Sequence, residues 1–443
     1  MRVLLAVHHF LPRYSAGAEL YTYRLARWLL AQGYAVEVVC VEEVDHLRPA
    51  DLTARYELFD DIPVWRLSLG MAGAARSWAY DHPLINSWLR EHLRSNRPDL
   101  VHLHSGYLLG AGVLKEAYDA AVPSLVTLHD FWFLCPQITL LRGDGRVCAQ
   151  VPADAATCAW CLNLSRNRYR LADQVSGGAA GFVWQALAGD SAARPINDRR
   201  SVLRQALGLA SMVLAPSRFL ASHFADIVAH DRLRVVRLGI DTSALHQIGR
   251  PSESGPLRLG YIGQIAPHKG VDVLARAVAA LPAGGRQWTL SIHGDFAQHP
   301  RYGASLRRLL GDDPRVTLAG RFDNAAIAQV FCGLDALVVP SIWYENSPLV
   351  ILEAQAASRP VITSAMGGMA ELVRDELDGL TFRPGDAADL ARQIQRLREE
   401  PQLLARLSAA TQAPPSIADE LQTLAQLYAQ AALGVVPHAV EVA

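Results

Sequence analysis

The stretch WYENSPLVILEA (343–354) places two carboxylates, Glu345 and Glu353, on either side of a Ser-Pro step. The apolar run just before it, ALVVPS (336–341), has the composition of a buried parallel strand. The Ser-Pro step has the pattern of a helix N-cap followed by the first helical residue. We therefore expect Glu345 in a loop, Glu353 on the next helix, and a fold in which buried strands alternate with helices.

The start of this helix is a predicted anion site. The first backbone amides of a helix have no acceptor within the helix, and the helix dipole favours negative charge there. We therefore expect a diphosphate beside Ser347, Leu349 and Val350. Two carboxylates at this spacing can also bind neighbouring parts of one polyhydroxylated ligand. The alternative is a solvated acidic helix.

Apolar runs typical of buried strands recur along the whole chain. In the first half they are 2–8, 35–41, 62–69, 99–105, 123–130, 212–217 and 234–240, and in the second half 257–263, 288–294, 315–320, 336–341, 360–364 and 379–384. With helices between them, they predict two doubly wound α/β domains in tandem. In such sheets ligands bind at the carboxyl ends of the strands.

The predicted domains are separated by a segment rich in Gly, Pro and Ser at 247–256. We expect an N-terminal Rossmann-like domain at 1–246, which contains a Cys-bearing insertion at about 135–200. A nucleotide-sugar-binding domain is expected at 257–412. An apolar stripe with helical spacing predicts a last helix at 416–433.

Composition restricts the class of protein. The chain has 443 residues, 51% of them hydrophobic, and a net charge of −1. These values favour a globular, soluble protein and argue against nucleic-acid binding. The first residues lack a signal-peptide pattern, and no apolar stretch has membrane-spanning length. We therefore expect a cytoplasmic protein.

Four further motifs carry a family resemblance: SAGAEL (15–20), SLVTLHD (124–130), GYIGQIAPHKG (260–270) and PVITSAMGGMAEL (360–372). Together with the stretch at 343–354 they resemble the retaining GT-B glycosyltransferases of family 4. The resemblance implies two Rossmann-like domains that face a cleft, and a C-terminal helix that crosses back to the first domain.

The resemblance also assigns roles to individual residues. It implies that Glu345 contacts the transferred sugar, that Glu353 holds the nucleotide ribose and that Lys269 grips the diphosphate. His129 corresponds to the family's active-site histidine. The remaining expected donor-side residues are Gly17, Gln264, Arg321, Gly367, Gly368 and Glu371. Gln264 stands where the family has an arginine, and a neutral amide supplies no charge.

The implied activity is transfer of a hexose-type sugar from a nucleoside diphosphate, with retention, to a glycan or lipid-linked glycan in surface polysaccharide biosynthesis. No Asp-x-Asp triplet occurs in the chain. We therefore expect catalysis without a metal ion, with Lys269 and helix-start amides stabilising the leaving group. His268, or Arg13 from the opposing loop, is a candidate substitute for the missing arginine.

Each of these assignments has a plainer alternative. Lys269 would otherwise be a surface lysine in a turn, and His129 a hydrogen-bonded structural histidine at a strand end. An Arg-Phe pair such as Arg321 and its neighbour is common in proteins. The two glycines at 367 and 368 would otherwise only make a turn, and Glu371 would only favour a helix start.

The clustered cysteines are the least expected feature. Cys135, Cys148, Cys158 and Cys161 lie within 27 residues, with spacings x12, x9 and x2. A cytoplasmic chain seldom keeps disulfides, so this cluster predicts a structural zinc site. A redox pair, an iron-sulfur centre or four unrelated small residues are the alternatives, because only one Cys-x-x-Cys pair is present.

The segment 165–204 carries seven Arg against three Asp, with Phe182 and Trp184 between them. A basic segment with exposed aromatic residues could rest on an anionic membrane surface, where many sugar acceptors are lipid-linked. The protein would then work at the inner face of the cytoplasmic membrane. The alternative is a solvated helical insertion.

Two rival functions remain open. A catalytically degenerate protein would bind a nucleotide sugar or a glycan without turnover, and Gln264 favours it. A metal-dependent regulatory or redox protein could instead be built around the four cysteines. The chain has neither a Gly-x-Gly-x-x-Gly dinucleotide fingerprint nor a P-loop, which argues against dehydrogenases and NTPases.

Overall fold

The computed structural model describes residues 1–14, 17–251, 254–323, 326–400 and 402–434. The chain forms two compact units. The first comprises Met1–Val236 and the residues from Leu421 onward, and the second comprises Arg237–Glu420. The first unit therefore ends before the expected boundary at residue 246. The physical reason is local, because the backbone N–H of Ile240 donates to the carbonyl of Pro415 within the second unit, at 3.1 Å.

The first unit is built on one sheet in the order β3-β4-β2-β1-β5-β6-β7-β8. All of its neighbouring strands are parallel except β3 and β4. The strands are β1 (Arg2–Ala6), β2 (Ala35–Pro49), β3 (Asp51–Phe59), β4 (Ile62–Ala72), β5 (Leu100–Leu103), β6 (Ser124–Thr127), β7 (Met212–Ala215) and β8 (Leu233–Val235). Strands β5, β6 and β7 are buried along their whole length, which explains their mostly apolar sequences.

Strand β3 was not predicted. Most of its side chains are exposed, and it pairs antiparallel with β4 at the edge of the sheet. An edge strand with polar residues lacks the apolar run that marks the buried strands. Strand β8 is shorter than the run 234–240 predicted, because the chain leaves the sheet after Val235.

Helices flank this sheet. They are α1 (Gly17–Ala31), α2 (Pro83–Asn96), α3 (Gly112–Asp119), α4 (Ala155–Leu164), α5 (Asn167–Val175), α6 (Ala179–Leu209) and α7 (Arg218–Ser222). Helices α4, α5 and α6 lie between β6 and β7 and make up most of the expected insertion. Helix α6 is interrupted at Gly189, whose backbone has non-helical angles.

The second unit has a fully parallel sheet in the order β11-β10-β9-β12-β13-β14. Its strands are β9 (Leu257–Ile262), β10 (Trp288–His293), β11 (Val316–Gly320), β12 (Ala336–Val339), β13 (Val361–Ser364) and β14 (Gly379–Phe382). Its helices are α8 (Val271–Ala279), α9 (Pro300–Leu310), α10 (Ile327–Cys332), α11 (Leu349–Ala356), α12 (Gly367–Leu372), α13 (Ala387–Glu399) and α14 (Leu403–Ala410). The two doubly wound sheets confirm the predicted fold class.

The last helix, α15 (Ile417–Ala432), belongs to the first unit from Leu421 onward. Its Tyr428 side chain is fully buried, and the hydroxyl lies 2.6 Å from Nδ1 of His102 on β5. Apolar residues at Leu421 and Leu424 are buried with it, as the helical stripe predicted. Within the described ranges, no helix combines the length and the apolar character that crossing a bilayer requires.

Candidate functional site

In the second unit, three loops meet at the carboxyl ends of the neighbouring strands β9, β12 and β13. The N–H of Ile342 after β12 donates to the carbonyl of His268 after β9, at 2.9 Å. The N–H of Gly368 after β13 donates to the carbonyl of Glu345, at 2.7 Å. The structure thus brings together the motifs around Lys269, Glu345 and Gly368, which are far apart in sequence. This is the edge at which such sheets bind ligands.

Two glycines allow the loops to approach this closely. Gly270 has a φ of +67°, and a Cβ atom there would lie 2.0 Å from the carbonyl oxygen of Pro340. A Cβ atom on Gly368 would lie 1.9 Å from the carbonyl oxygen of Asn346. Any other residue would therefore push backbone against backbone. Gly368, for which a turn was the alternative, thus also sets the distance between two loops.

Glu345 is the centre of the cluster. Its Oε1 atom accepts hydrogen bonds from Lys269 Nζ at 2.6 Å, Trp343 Nε1 at 2.8 Å and Ser341 Oγ at 2.9 Å. Burial raises the pKa of Glu345, but the charge and hydrogen bond of Lys269, with the other two donors, outweigh burial and hold this pKa below its ordinary value. The carboxylate is therefore ionised and fixed in one orientation.

The ring of Trp343 packs against both Lys269 and His268. Lys269 Nζ lies 5.2 Å from the centre of its ring, and the His268 ring meets it edge-on at 4.6 Å. Sequence reasoning assigned no role to Trp343 or to Ser341. Both lie within four residues of Glu345 and carry a polar hydrogen. That proximity is the feature of the sequence from which their hydrogen bonds to Glu345 could have been predicted.

His268 does not carry the positive charge that an arginine would supply. Burial and the neighbouring charge of Lys269 lower the pKa of His268 to about 4, so its ring is neutral at pH 7. Gln264 has an exposed side chain, and its carbonyl accepts a hydrogen bond from the Tyr261 hydroxyl at 2.6 Å. The charge in this loop is therefore supplied by Lys269.

The predicted start of the following helix is wrong by one residue. Helix α11 begins at Leu349, Pro348 is its N-cap, and no side chain caps it. Pro348 has a ψ of 115°, which is extended rather than helical, so Ser347 lies outside the cap position. Leu349 and Val350 are the first helical residues, as an amide anion site requires. Glu353 lies half-buried on the same helix.

Other expected donor-side residues lie elsewhere in this unit. Arg321 follows β11 and pairs with Asp295 at 3.7 Å, and the next residue, Phe322, packs on the ring of His293. These contacts lie at the ends of β10 and β11, whereas Glu345 follows β12 on the other side of β9. Glu371 lies on α12 and pairs with Arg237 at 3.5 Å.

In the first unit, His129 follows β6 and belongs to a chain of aromatic side chains. Its Nε2 atom lies 3.4 Å from Nδ1 of His104, and the ring of Tyr21 meets its ring edge-on at 5.1 Å. Burial lowers the pKa of His129 to about 4, so the ring is neutral. His104 follows β5 and was not predicted.

A second polar pair lies at the end of β1. His8 Nε2 lies 3.3 Å from Oε1 of Glu19 on α1. Among the buried side-chain atoms without a hydrogen-bond partner in the described residues of this unit, His8 Nδ1, Glu19 Oε2 and His104 Nε2 lie at this edge. Buried polar atoms are usually paired, so this edge of the sheet is suited to a ligand with hydroxyl groups. Sequence reasoning missed both residues, although Glu19 lies inside the quoted motif SAGAEL.

The structure also locates Gly17 and Asp130, two further residues of the motifs in the first unit. Gly17 is the first residue of α1, and a Cβ atom there would meet nothing within 4 Å. Residues 15 and 16 of the same motif lie outside the described residues. Asp130 accepts a hydrogen bond from the backbone N–H of Trp132 at 2.7 Å and thus caps the following loop. Burial raises the pKa of Asp130 to about 6.

The four clustered cysteines surround one small cavity. Cys135, Cys148, Cys158 and Cys161 all line a space of about 20 Å³, and none forms a disulfide. Arg200 Nη2 lies 3.1 Å from the Cys158 sulfur. Across the described residues, no three His, Cys, Asp or Glu side chains are grouped so as to hold a metal ion. The zinc site remains a prediction.

Two family profiles match the chain. Residues 15–175 match Glycosyltransferase Family 4, and residues 256–400 match Glycosyl transferases group 1. Among curated relatives, the 2-deoxystreptamine glucosyltransferase of Streptomyces kanamyceticus is 32% identical over 47% of this chain and 56% of its own length. The D-inositol 3-phosphate glycosyltransferase of Stackebrandtia nassauensis is 33% identical over 40% of this chain and 44% of its own length. The chain thus spans about half the length of these two relatives.

Longer matches are more distant in sequence. The glycogen synthase of Mycobacterium tuberculosis H37Rv is 26% identical over 97% of this chain and 94% of its own length. Among solved structures, Anabaena Alr3699/HepE in complex with UDP has a TM-score of 0.64 at 18% identity and covers 97% of this chain and 100% of its own. Sucrose-phosphate synthase from Thermosynechococcus elongatus has a TM-score of 0.62 at 21% identity, and covers 97% of this chain and 98% of its own. At these identities the two structures show the fold alone.

Proposed function

Because the chain belongs to the family 4 (group 1) glycosyltransferases, we propose that it transfers a hexose-type sugar from a nucleoside diphosphate to a glycan or lipid-linked glycan acceptor. The proposal includes retention of the anomeric configuration and a place in surface polysaccharide biosynthesis. The 2-deoxystreptamine relative is named a glucosyltransferase, which supports a hexose donor.

The ion pair between Lys269 and Glu345 is the observation that carries this proposal. It lies at the carboxyl ends of β9 and β12, beside the first turn of α11. A leaving nucleoside diphosphate gains negative charge as its bond to the sugar breaks, and a fixed ammonium group with free backbone amides stabilises that charge. The ammonium group has three N–H donors. It can therefore keep its bond to Glu345 and donate to phosphate oxygens as well.

The family resemblance supplies the roles of the remaining residues, and we include them in the proposal. Glu345 orients Lys269 and contacts the transferred sugar, whereas Glu353, farther along α11, holds the ribose. The first amides of α11, at Leu349 and Val350, face the diphosphate. In the first unit, neutral His129 donates or accepts a hydrogen bond at a sugar hydroxyl.

A donor panel tests the proposal. Each common nucleoside diphosphate sugar is added to the protein, and the melting temperature and the release of nucleoside diphosphate are both measured. We expect one donor to raise the melting temperature and to be turned over when a glycan acceptor is present. A panel in which no donor stabilises the protein would contradict the proposed donor class.

The degenerate alternative keeps one supporting observation, because Gln264 contributes no charge and His268 is neutral. Stabilisation by a donor without hydrolysis or transfer, across a panel of acceptors, would favour that alternative. Transfer at a measurable rate would exclude it.

A further inference from the structure

The insertion in the first unit exposes an unusual amount of apolar surface. We call α5 and the part of α6 before Gly189 the insertion hairpin. The large apolar side chains it exposes to solvent are Leu171 (62%), Val175 (81%), Phe182 (78%), Val183 (53%) and Leu187 (83%). Isolated exposed apolar residues are ordinary, but five within one short hairpin indicate a contact surface.

These side chains form continuous stripes. Leu171 and Val175 are four residues apart on α5, and Val183 and Leu187 are four residues apart on α6, so each pair shares a helix face. The turn between the helices contains Gly177 and Gly178, both with positive φ. The apolar stripes therefore continue on both sides of a tight turn.

The opposite side of α6 is already packed. A Cβ atom on Gly181 would lie 2.5 Å from Nε1 of Trp160 on α4, and the rings of Trp160 and Trp184 lie 5.3 Å apart. Of the two aromatic residues expected to be exposed, Trp184 thus packs inward and Phe182 points outward. A solvated surface helix would carry polar residues on its outer face. Here the outer face is apolar as well.

The charge next to the stripes is positive. Arg166, Arg168 and Arg170 lie at the start of α5. The Arg168 guanidinium donates to the Tyr169 hydroxyl at 3.2 Å and that of Arg170 to Asn167 Oδ1 at 2.5 Å, so in the part of the chain that the structure describes their partners are neutral and no carboxylate pairs with these three arginines. The hairpin contains one acidic residue, Asp173, and a second, Asp190, lies just beyond it. The whole chain has a net charge of −1, so this positive charge is local.

We propose that the insertion hairpin binds the surface of an anionic lipid bilayer. Apolar stripes beside guanidinium groups whose charge no carboxylate neutralises match the two layers of such a surface, which are acyl chains and anionic headgroups. A protein partner would need an apolar groove with carboxylates placed beside it. An anionic bilayer presents apolar chains and negative charge over its whole surface. Since no helix in the described ranges can span a bilayer, this contact is interfacial.

The role of this surface rests on the proposed glycosyltransferase function. Of the two proposed acceptor classes, bilayer binding favours lipid-linked glycans, because an enzyme held at a bilayer meets acceptors anchored in that bilayer. The binding itself does not depend on catalysis. The two ideas can therefore fail separately.

Sedimentation with vesicles tests the proposal. The full chain is mixed with vesicles of phosphatidylcholine alone, or of phosphatidylcholine with phosphatidylglycerol, and the bound fraction is measured. We expect binding to the anionic vesicles, weakened at high salt. The double variant F182S/L187S and the triple variant R166E/R168E/R170E should each weaken it by about ten-fold or more.

The matched control is L47S/L58S, which removes two apolar side chains that are exposed elsewhere, on β2 and β3. It should bind vesicles like the unchanged protein. Equal binding by all variants, or no binding to anionic vesicles, would overturn the proposal. So would a dimer in solution that F182S/L187S dissociates, because the stripes would then be an interface between two copies. Vesicle binding without any sugar transfer would leave the surface intact and reject the proposed function instead.

Discussion

Lys269 and Glu345 are 76 residues apart in the chain, yet Nζ of one lies 2.6 Å from Oε1 of the other. The same oxygen accepts from Trp343 and Ser341, so the carboxylate cannot turn without breaking three hydrogen bonds. The pair therefore holds a cation in place before any ligand arrives. Such preorganisation lets the cation stabilise developing charge without moving.

Replacement of Glu345 by Gln separates charge from shape. We expect E345Q to lower sugar transfer on the order of 10²-fold, because Lys269 loses the charged partner that orients it. Affinity for nucleoside diphosphate should not fall, since no carboxylate then competes for Lys269. Initial rates and calorimetric titration measure the two effects. The exposed Glu399, changed to Gln, is the control, and unchanged rates in E345Q would remove this residue from the site.

Replacement of Lys269 by Ala should weaken binding of the nucleoside diphosphate much more than binding of the free nucleoside. The ammonium group acts on phosphate charge, which the nucleoside lacks. The control is K115A, since Lys115 is the chain's other lysine and lies exposed on α3. Equal losses for both ligands would show that Lys269 does not contact phosphate.

Chelation tests the expectation that no metal ion takes part in transfer. We expect the rate to persist in excess EDTA after brief exposure, because Lys269 and the first amides of α11 occupy the place of a cation. The measurement is transfer with and without chelator. A rate that disappears and returns on addition of magnesium or manganese would contradict the expectation.

Acid should destabilise the first unit through its buried histidines. Burial lowers the pKa of His8 and of His129 to about 4 and that of His102 to about 3. Between the ordinary value of about 6.5 and these values, the unfolded chain binds protons that the folded chain excludes. Stability is therefore complete at neutral pH and falls as the pH drops, by up to about 1.4 kcal/mol per histidine and pH unit.

Thermal unfolding between neutral pH and about pH 5 measures this loss. The variant H129Q should show a shallower fall of the melting temperature with pH, even if its melting temperature at neutral pH is lower. The exposed His46, changed to Gln, is the control. Parallel pH profiles for H129Q and the unchanged protein would show that His129 does not titrate as expected.

The four cysteines predict one zinc ion per chain. They line a common cavity, and zinc binding requires the four sulfurs to draw within about 2.3 Å of one point. Elemental analysis of protein purified without added metal should give one equivalent. C158S should lose it and melt at a lower temperature, whereas C332S, at an exposed position, should keep it. A zinc content near zero would show that the four cysteines are ordinary packed side chains and not a metal site.

The sequence predicted what depends on local pattern. Apolar runs such as Ala336–Val339 identified the buried strands, and the carboxyl ends of these strands located Lys269, Glu345 and Gly368. Strand β3 escaped because an exposed edge strand needs no apolar run. The pairing of Lys269 with Glu345, and of His129 with His104, is set by neighbouring strands in the sheet. No single stretch of sequence contains that information.

The burial of Tyr428 against His102 has a consequence for the order of synthesis. The sheet of the first unit emerges from the ribosome long before α15, so until residue 428 is made the Nδ1 atom of His102 lacks its hydroxyl partner. Part of the core of this sheet therefore stays uncovered until all of the second unit has been translated. A fragment that stops at Val236 therefore lacks both the hydroxyl partner of His102 and the helix that covers this part of the core.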